Sequence, residues 1–489
     1  MGVAALVGLA LRAVAARASL WMDELHSLGH GLQPDLMSVF DHTHFDFHAP
    51  LFFTAVHFVA DWSSPHAGKI LPIAASLLAL VPACAIARSA GASRRGVALA
   101  AWFLCAMPFF VYYGQELRPY AFLGLATTSA AWAAWTDDGS TKKRFAIFAI
   151  ATAFGLNTHY LMVLAVPAIM IGAFISGFRA SPVGRLRPLA LVGAAALGAT
   201  CFLPWMFGWM SWVVESPAEL VPHETNIPPI AWRELVESPI RIIVPRIDSL
   251  GNPWDTWALV GAASFLLAAF AAVGLRVVAP FRRNATPATP TFKAALTTTL
   301  ILLPVTGFLS VKAWGRVGLQ YHTLCAFLVP ILVAVCVDGV RAPRVRGTLI
   351  AMLALGATIG GIAQSFGAPR EDLRAAVERV RSEVARRTST GAPPPWVSAV
   401  MRQPDIFDHT MAFTAYGRDL GAVEPSKLPT VGEPGFDRPV VLLVRRWDDL
   451  ERAENESQEA IRKLTVGRVV AERIPIDDGV GVWILAPKP

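Results

Sequence analysis

The chain has 489 residues, of which 54% are hydrophobic and only 16% charged, and its mean hydropathy is +0.47. That composition excludes an ordinary water-soluble protein, because apolar runs of about 17–20 residues recur along it, the length that crosses a bilayer. The formal charge of +7 lies in short loops between these runs, which speaks for membrane topology and gives no support to nucleic-acid binding.

The first apolar segment, residues 2–20, lacks a basic start and a small-residue cleavage site, so it is expected to be an uncleaved helix. Arg12 and Arg17 lie in its outer half. Directly after it comes Ser19-Leu20-Trp21-Met22-Asp23-Glu24. Two adjacent carboxylates at the mouth of a membrane helix are costly to place, and groups of this kind mark sites. A carboxylate there can act as a general base, taking the proton of an acceptor hydroxyl. Its neighbour can bind sugar or metal. Further on, His42, His44 and Asp46 alternate, so on an extended segment they share one face, as a divalent-metal site requires. A polar loop approaching the headgroups is the plainer alternative. His48 precedes Ala49-Pro50. Residues 49–62 are apolar but too short to span, and are read as an interfacial helix.

Further spans are expected at 70–88, 96–113, 119–135, 145–159, 161–178, 188–207, 254–275, 293–311, 321–338 and 347–366, about eleven in all with the first. The connections 88–95, 137–144, 179–187, 276–293 and 341–346 contain 16 Lys/Arg, whereas the alternate ones, with 21–62, contain seven. The positive-inside rule then puts the N-terminus inside and residues after the last span outside. Lys69 and Arg316 are cations on the outer side, against that trend, which points to phosphate. The outer turn Gln115-Glu116-Leu117-Arg118-Pro119-Tyr120 offers Arg118 for a lipid phosphate and Glu116 as its partner or a sugar ligand. His159 and Tyr160 end the fifth span, and Tyr321 opens the tenth. The outer loop 208–252 has six prolines and three tryptophans, a composition suited to a lid or binding loop. All five cysteines fall in apolar segments without metal-ligand spacing, as small buried hydrophobes do.

Residues 367–489 hold 18 Lys/Arg and 19 Asp/Glu and read as a soluble α/β domain, against a transmembrane domain at 1–366. Leu373, Val377, Val380 and Val384 have helical spacing, 440–444 is a β-branched run, 448–464 a polar helix, and 468–474 and 480–485 are strands. The stretch 388–438, rich in Pro, Gly and Thr, carries no assignable element.

These segments resemble the motifs of bacterial GT-C glycosyltransferases of the dolichyl-phosphate-mannose protein mannosyltransferase-like and aminoarabinose lipid A transferase-like kind. Ser19 to Glu24 resembles their first-loop signature. His48-Ala49-Pro50-Leu51-Phe52-Phe53 resembles a second element, with Ala49 where the family has a first proline. Gln115 to Tyr120 and Thr158-His159-Tyr160 resemble two more. Gly318-Leu319-Gln320-Tyr321 sits where an Arg-Tyr element is usual, with Arg316 two residues early, and Pro369 to Arg374 resembles the start of the family's soluble tail. The resemblance implies a GT-C fold and inverting transfer of a sugar from a polyprenyl-phosphate donor to a glycan, lipid or protein hydroxyl. It implies the outer face of the bacterial cytoplasmic membrane, with Asp23 as base. Some relatives use a divalent ion and others do not. A transporter or lipid flippase is the competing expectation. It calls for inverted repeats with polar midplane groups, whereas the polar candidates here cluster at the outer edge.

Overall fold

The computed structural model describes residues 1–43, 48–136, 140–175, 187–207, 253–278, 289–314, 322–366, 372–400, 411–423, 427–445, 466–476 and 480–488. The chain forms two compact units. One comprises Met1–Ala16, Pro34–Ala55 and Lys69–Gly367; the other comprises Arg17–Gln33, Val56–Gly68 and Ala368–Pro489.

The first unit is helical, as its apolar runs require. Its helices are α1 (Gly2–Ala15), α3 (Leu36–Thr43), α5 (Ile70–Leu78), α6 (Leu80–Ser89), α7 (Arg94–Ala106), α8 (Pro108–Tyr113), α9 (Tyr120–Trp135), α10 (Thr141–Leu156), α11 (Met162–Ile175), α12 (Arg187–Thr200), α13 (Pro253–Val278), α14 (Pro290–Trp314), α15 (Thr323–Ala326), α16 (Leu328–Asp338) and α17 (Pro343–Phe366). Helix α4 (Leu51–Val59) has nine residues and is too short to cross a bilayer. Among the described residues three helices are long and apolar enough to span a membrane: Ala67–Ser89, Pro290–Leu309 and Pro343–Phe366. Shorter apolar helices include Gly2–Ala15, Met162–Ile175 and Thr323–Asp338. The outward residues of this unit are themselves large and apolar, among them Leu78, Ile150, Phe174, Leu267, Phe270 and Leu300. An exterior of that kind needs lipid, not water, against it.

Helices α7 and α8 divide one expected span. Pro108 opens α8, and Met107 before it is extended (φ −68°, ψ 142°). Proline has no N–H, so the carbonyl of Leu104, four residues earlier, loses its helical donor. Arg12 supplies the replacement. Its Nη2 donates to the Leu104 carbonyl at 3.0 Å, and its Nη1 donates to the carbonyls of Cys105 and Gly8, both at 3.0 Å. That accounts for a fully buried arginine in the first apolar segment. Helices α13 and α17 pack closely through glycine: a Cβ on Gly356 would lie 2.6 Å from the Gly261 carbonyl oxygen, and one on Gly261 2.8 Å from that of Gly356. Small residues of this sort bring membrane helices into backbone contact.

The second unit contains α2 (Met22–Gly31) and the tail elements α18 (Leu373–Thr388), β1 (Trp396–Val400), α19 (Met411–Tyr416), β2 (Val440–Arg445), β3 (Arg468–Pro475) and β4 (Val480–Pro487). The sheet order is β1-β2-β4-β3, with β1 parallel to β2 and the other pairs antiparallel. Strand β2 is buried on both faces, the pattern of a central strand. Val440, Leu442 and Val444 join Trp483, Leu485 and Leu428 in one core, and α18 packs on the sheet. In α18, Leu373, Val377 and Val380 face inward as their spacing predicts. The next inward position belongs to Glu383, with Val384 half-buried. Glu383 accepts from Arg386 Nε at 3.0 Å and Arg387 Nε at 2.6 Å, and these hydrogen bonds hold its carboxyl below the usual range. The expected polar helix at 448–464 lies outside the described residues.

Candidate active site

In the second unit, Trp21 is extended (φ −91°, ψ 174°) and leads into α2, which places Asp23 and Glu24 in the first helical turn. Carboxylates are favoured there by the helix dipole. The two acids differ in environment. Glu24 is buried, and its Oε2 accepts the Trp21 N–H at 3.2 Å, closing the turn. Asp23 is half-buried, and its carbonyl accepts from Ser27 Oγ at 3.1 Å. Helical spacing puts Asp23, His26 and His30 on one face. His26 and His30 are buried, with their Nε2 atoms 2.7 Å apart and their rings edge-to-face at 4.1 Å. One proton shared between those nitrogens makes one ring donor and the other acceptor. At the far end of α2, His57 Nδ1 donates to the Gly31 carbonyl at 2.9 Å.

In the first unit, the 114–119 turn draws charge inward. Gln115, Glu116 and Arg118 are all buried, and so is Lys69, whose Nζ donates to Gln115 Oε1 at 3.1 Å. Arg118 Nη2 donates to His48 Nε2 at 3.5 Å. His48 meets His159 edge-to-face at 4.7 Å, and Tyr120 stands 6.3 Å from His48 and 5.9 Å from His159. The backbone fixes this meeting: Leu51 N–H donates to the Asn157 carbonyl at 3.0 Å, tying the His48-Ala49-Pro50 segment to the turn that carries His159. Leu161 N–H donates to His159 Nδ1 at 3.3 Å, so in the neutral ring the proton sits on Nε2. Tyr160 accepts from Trp205 Nε1 at 2.9 Å. Lys69, Glu116 and Arg118 together carry two positive charges and one negative, a balance suited to an anion.

Of the residues expected from sequence, His48, Arg118, Tyr120 and His159 thus form one cluster, and Lys69 joins the turn of Glu116 through Gln115. Asp23 and Glu24 belong to the other unit. His42 is exposed on the last turn of α3. His44, Asp46, Arg316, Tyr321 and the loop 208–252 lie outside the described residues. Among the described residues no group of three or more His, Cys, Asp or Glu is placed to hold a metal ion. Sequence reasoning passed over Gln115, and over His26 and His30, whose spacing of four on the acid-bearing helix was the available signal.

No family model and no curated protein matches the chain. Among solved structures it is similar to ArnT from Cupriavidus metallidurans bound to undecaprenyl phosphate, with TM-score 0.56 and 12% identity over 99% of this chain and 96% of that one. It also matches the Archaeoglobus fulgidus oligosaccharyltransferase in the apo form, with TM-score 0.47 and 14% identity over 96% of this chain and 69% of that one. The ArnT match shows the fold that this chain shares: a largely helical protein with a small C-terminal unit of helices and a four-stranded sheet.

Proposed function

We propose that the chain is an inverting glycosyltransferase that moves a sugar from a polyprenyl-phosphate donor to a hydroxyl on the outer face of a bacterial cytoplasmic membrane. The observation that carries this reading is the division of labour between the two acids. Glu24 is occupied in closing the first turn of α2, and Asp23 stands half-buried beside it. The fold adds support, since its solved counterpart holds undecaprenyl phosphate. In the proposed step the acceptor oxygen attacks the anomeric carbon, the bond from that carbon to the donor phosphate oxygen breaks, and the acceptor proton passes to Asp23. The products are the glycosylated acceptor, with inverted configuration, and a polyprenyl monophosphate. Within the first unit, Arg118 and Lys69, with Glu116, His48, Tyr120 and His159, are the proposed binding group for a lipid phosphate. Arg316, Tyr321 and Tyr160 are further proposed contacts of the donor. A divalent ion held by His42, His44 and Asp46 would supply further charge neutralisation, and EDTA tests it.

The decisive variant is Asp23→Asn in purified protein with a competent donor. Loss of a general base lowers kcat by about 10²–10⁴-fold. Arg118→Gln should cost about 10²–10³-fold by removing charge stabilisation at the leaving phosphate. Full turnover in Asp23→Asn sinks Asp23 as the base.

A further inference from the structure

The backbone that carries the acid pair is gripped from the tail, within the second unit. Leu20 lies just before α2, and its N–H donates to the Tyr416 hydroxyl oxygen at 2.7 Å. Ser19 Oγ accepts the Arg374 N–H at 3.0 Å. Arg374 lies in the first turn of α18, where N–H groups have no intrahelical acceptor. Asp372 takes the Ala375 N–H of that turn and Ser19 takes that of Arg374. Each bond therefore satisfies a donor that its own element leaves over.

Tyr416 is itself held. The Arg374 guanidinium stands 5.3 Å from its ring centre, and Arg374 Nη2 donates to His66 Nε2 at 2.5 Å. The His66 ring is 6.3 Å from that of Tyr416. Burial raises the Tyr416 hydroxyl above its ordinary pKa, and the charge of Glu24 adds to that rise, so the hydroxyl stays neutral. The other end of α19 reaches the other end of α2. A Cβ on Gly29 would lie 2.7 Å from Met411 Cε, so glycine lets the two helices lie together.

We infer that Tyr416 is a positioning residue: its hydroxyl fixes the backbone at Leu20 and so sets where Asp23 stands, with Ser19 and Arg374 completing the hold. The inference rests on the reading of Asp23 as base. It gives the soluble tail a part in catalysis beyond covering a site or binding a partner.

The test uses the full-length protein and Tyr416→Phe, which keeps the ring and removes one oxygen. Hydrogen exchange at the Leu20 amide should quicken about tenfold, the equivalent of one net hydrogen bond. Turnover should show kcat lowered about tenfold with the donor KM unchanged. Combined with Asp23→Glu, which moves the carboxylate on a longer arm, Tyr416→Phe should cost less than its separate factor, because both changes act on one placement. Unchanged exchange at Leu20 overturns the inference, and so does a fully multiplicative loss, which a merely structural role would give. Should Tyr416→Phe not fold, Ser19→Ala tests the second bond: exchange at the Arg374 amide should quicken about tenfold and kcat fall with the donor KM unchanged, and unchanged Arg374 exchange overturns the inference. Retained turnover in Asp23→Asn would instead defeat the base assignment, and Leu20 exchange would still decide whether Tyr416 holds the segment.

Discussion

Arg12 illustrates how a costly residue is settled by a break in another helix. Its burial is offset by three carbonyls, two of which lost their helical donors at the Met107-Pro108 break. Replacing it by methionine keeps volume and leaves those carbonyls unmet, so Arg12→Met should destabilise the protein by about 1–3 kcal/mol. Thermal unfolding in detergent checks this, and an unchanged midpoint would refute it. The residue types at the site were legible in the sequence: acids, histidines and an arginine at the outer ends of apolar runs stand out because lipid tolerates them poorly. Their pairings were not. Lys69 reaches Gln115 across 46 positions, and Leu20 reaches Tyr416 across 396. Tyr416 lies in a Pro- and Gly-rich stretch with no local signal.

At the scale of elements, the apolar runs fixed where helices would lie, since length and hydropathy decide that locally. The interruption at Met107-Pro108 was read as continuous helix, because one proline inside an apolar run is compatible with a span. Strand β1 was missed for a different reason. It has five residues, follows three prolines, and owes its place to parallel pairing with β2, some 40 residues later. The contact between α13 and α17 gives a sharp prediction. At Gly356 an added side chain meets the Gly261 carbonyl, which cannot swing away, whereas Gly347 in the same helix has open space. Gly356→Val should cost about 1–3 kcal/mol and Gly347→Val within about 0.5 kcal/mol. Equal unfolding midpoints for the two variants would contradict the packing.

At the scale of the molecule, the contacts draw Arg17–Gln33 and Val56–Gly68 into one unit with the tail, so the acid-bearing helix packs with the tail's elements. Sequence composition could not reveal this, because composition records which segments like water and not which segments meet. The proposed orientation, N-terminus inside and tail outside, follows from loop charge. In a Cys201→Ser background, which removes the exposed native thiol, Ser140→Cys should resist a membrane-impermeant thiol reagent in intact cells. Labelling there would reverse the orientation.

The central claim is the reaction itself, and a transfer assay on the purified protein tests it most directly. The assay offers polyprenyl-phosphate mannose, glucose, galactose, arabinose and aminoarabinose, with membrane lipids and glycans as acceptors, each with and without EDTA. The account predicts polyprenyl phosphate released with one donor and lost in Asp23→Asn. Folded protein that releases none from any donor, while moving the lipid across a bilayer, would contradict it.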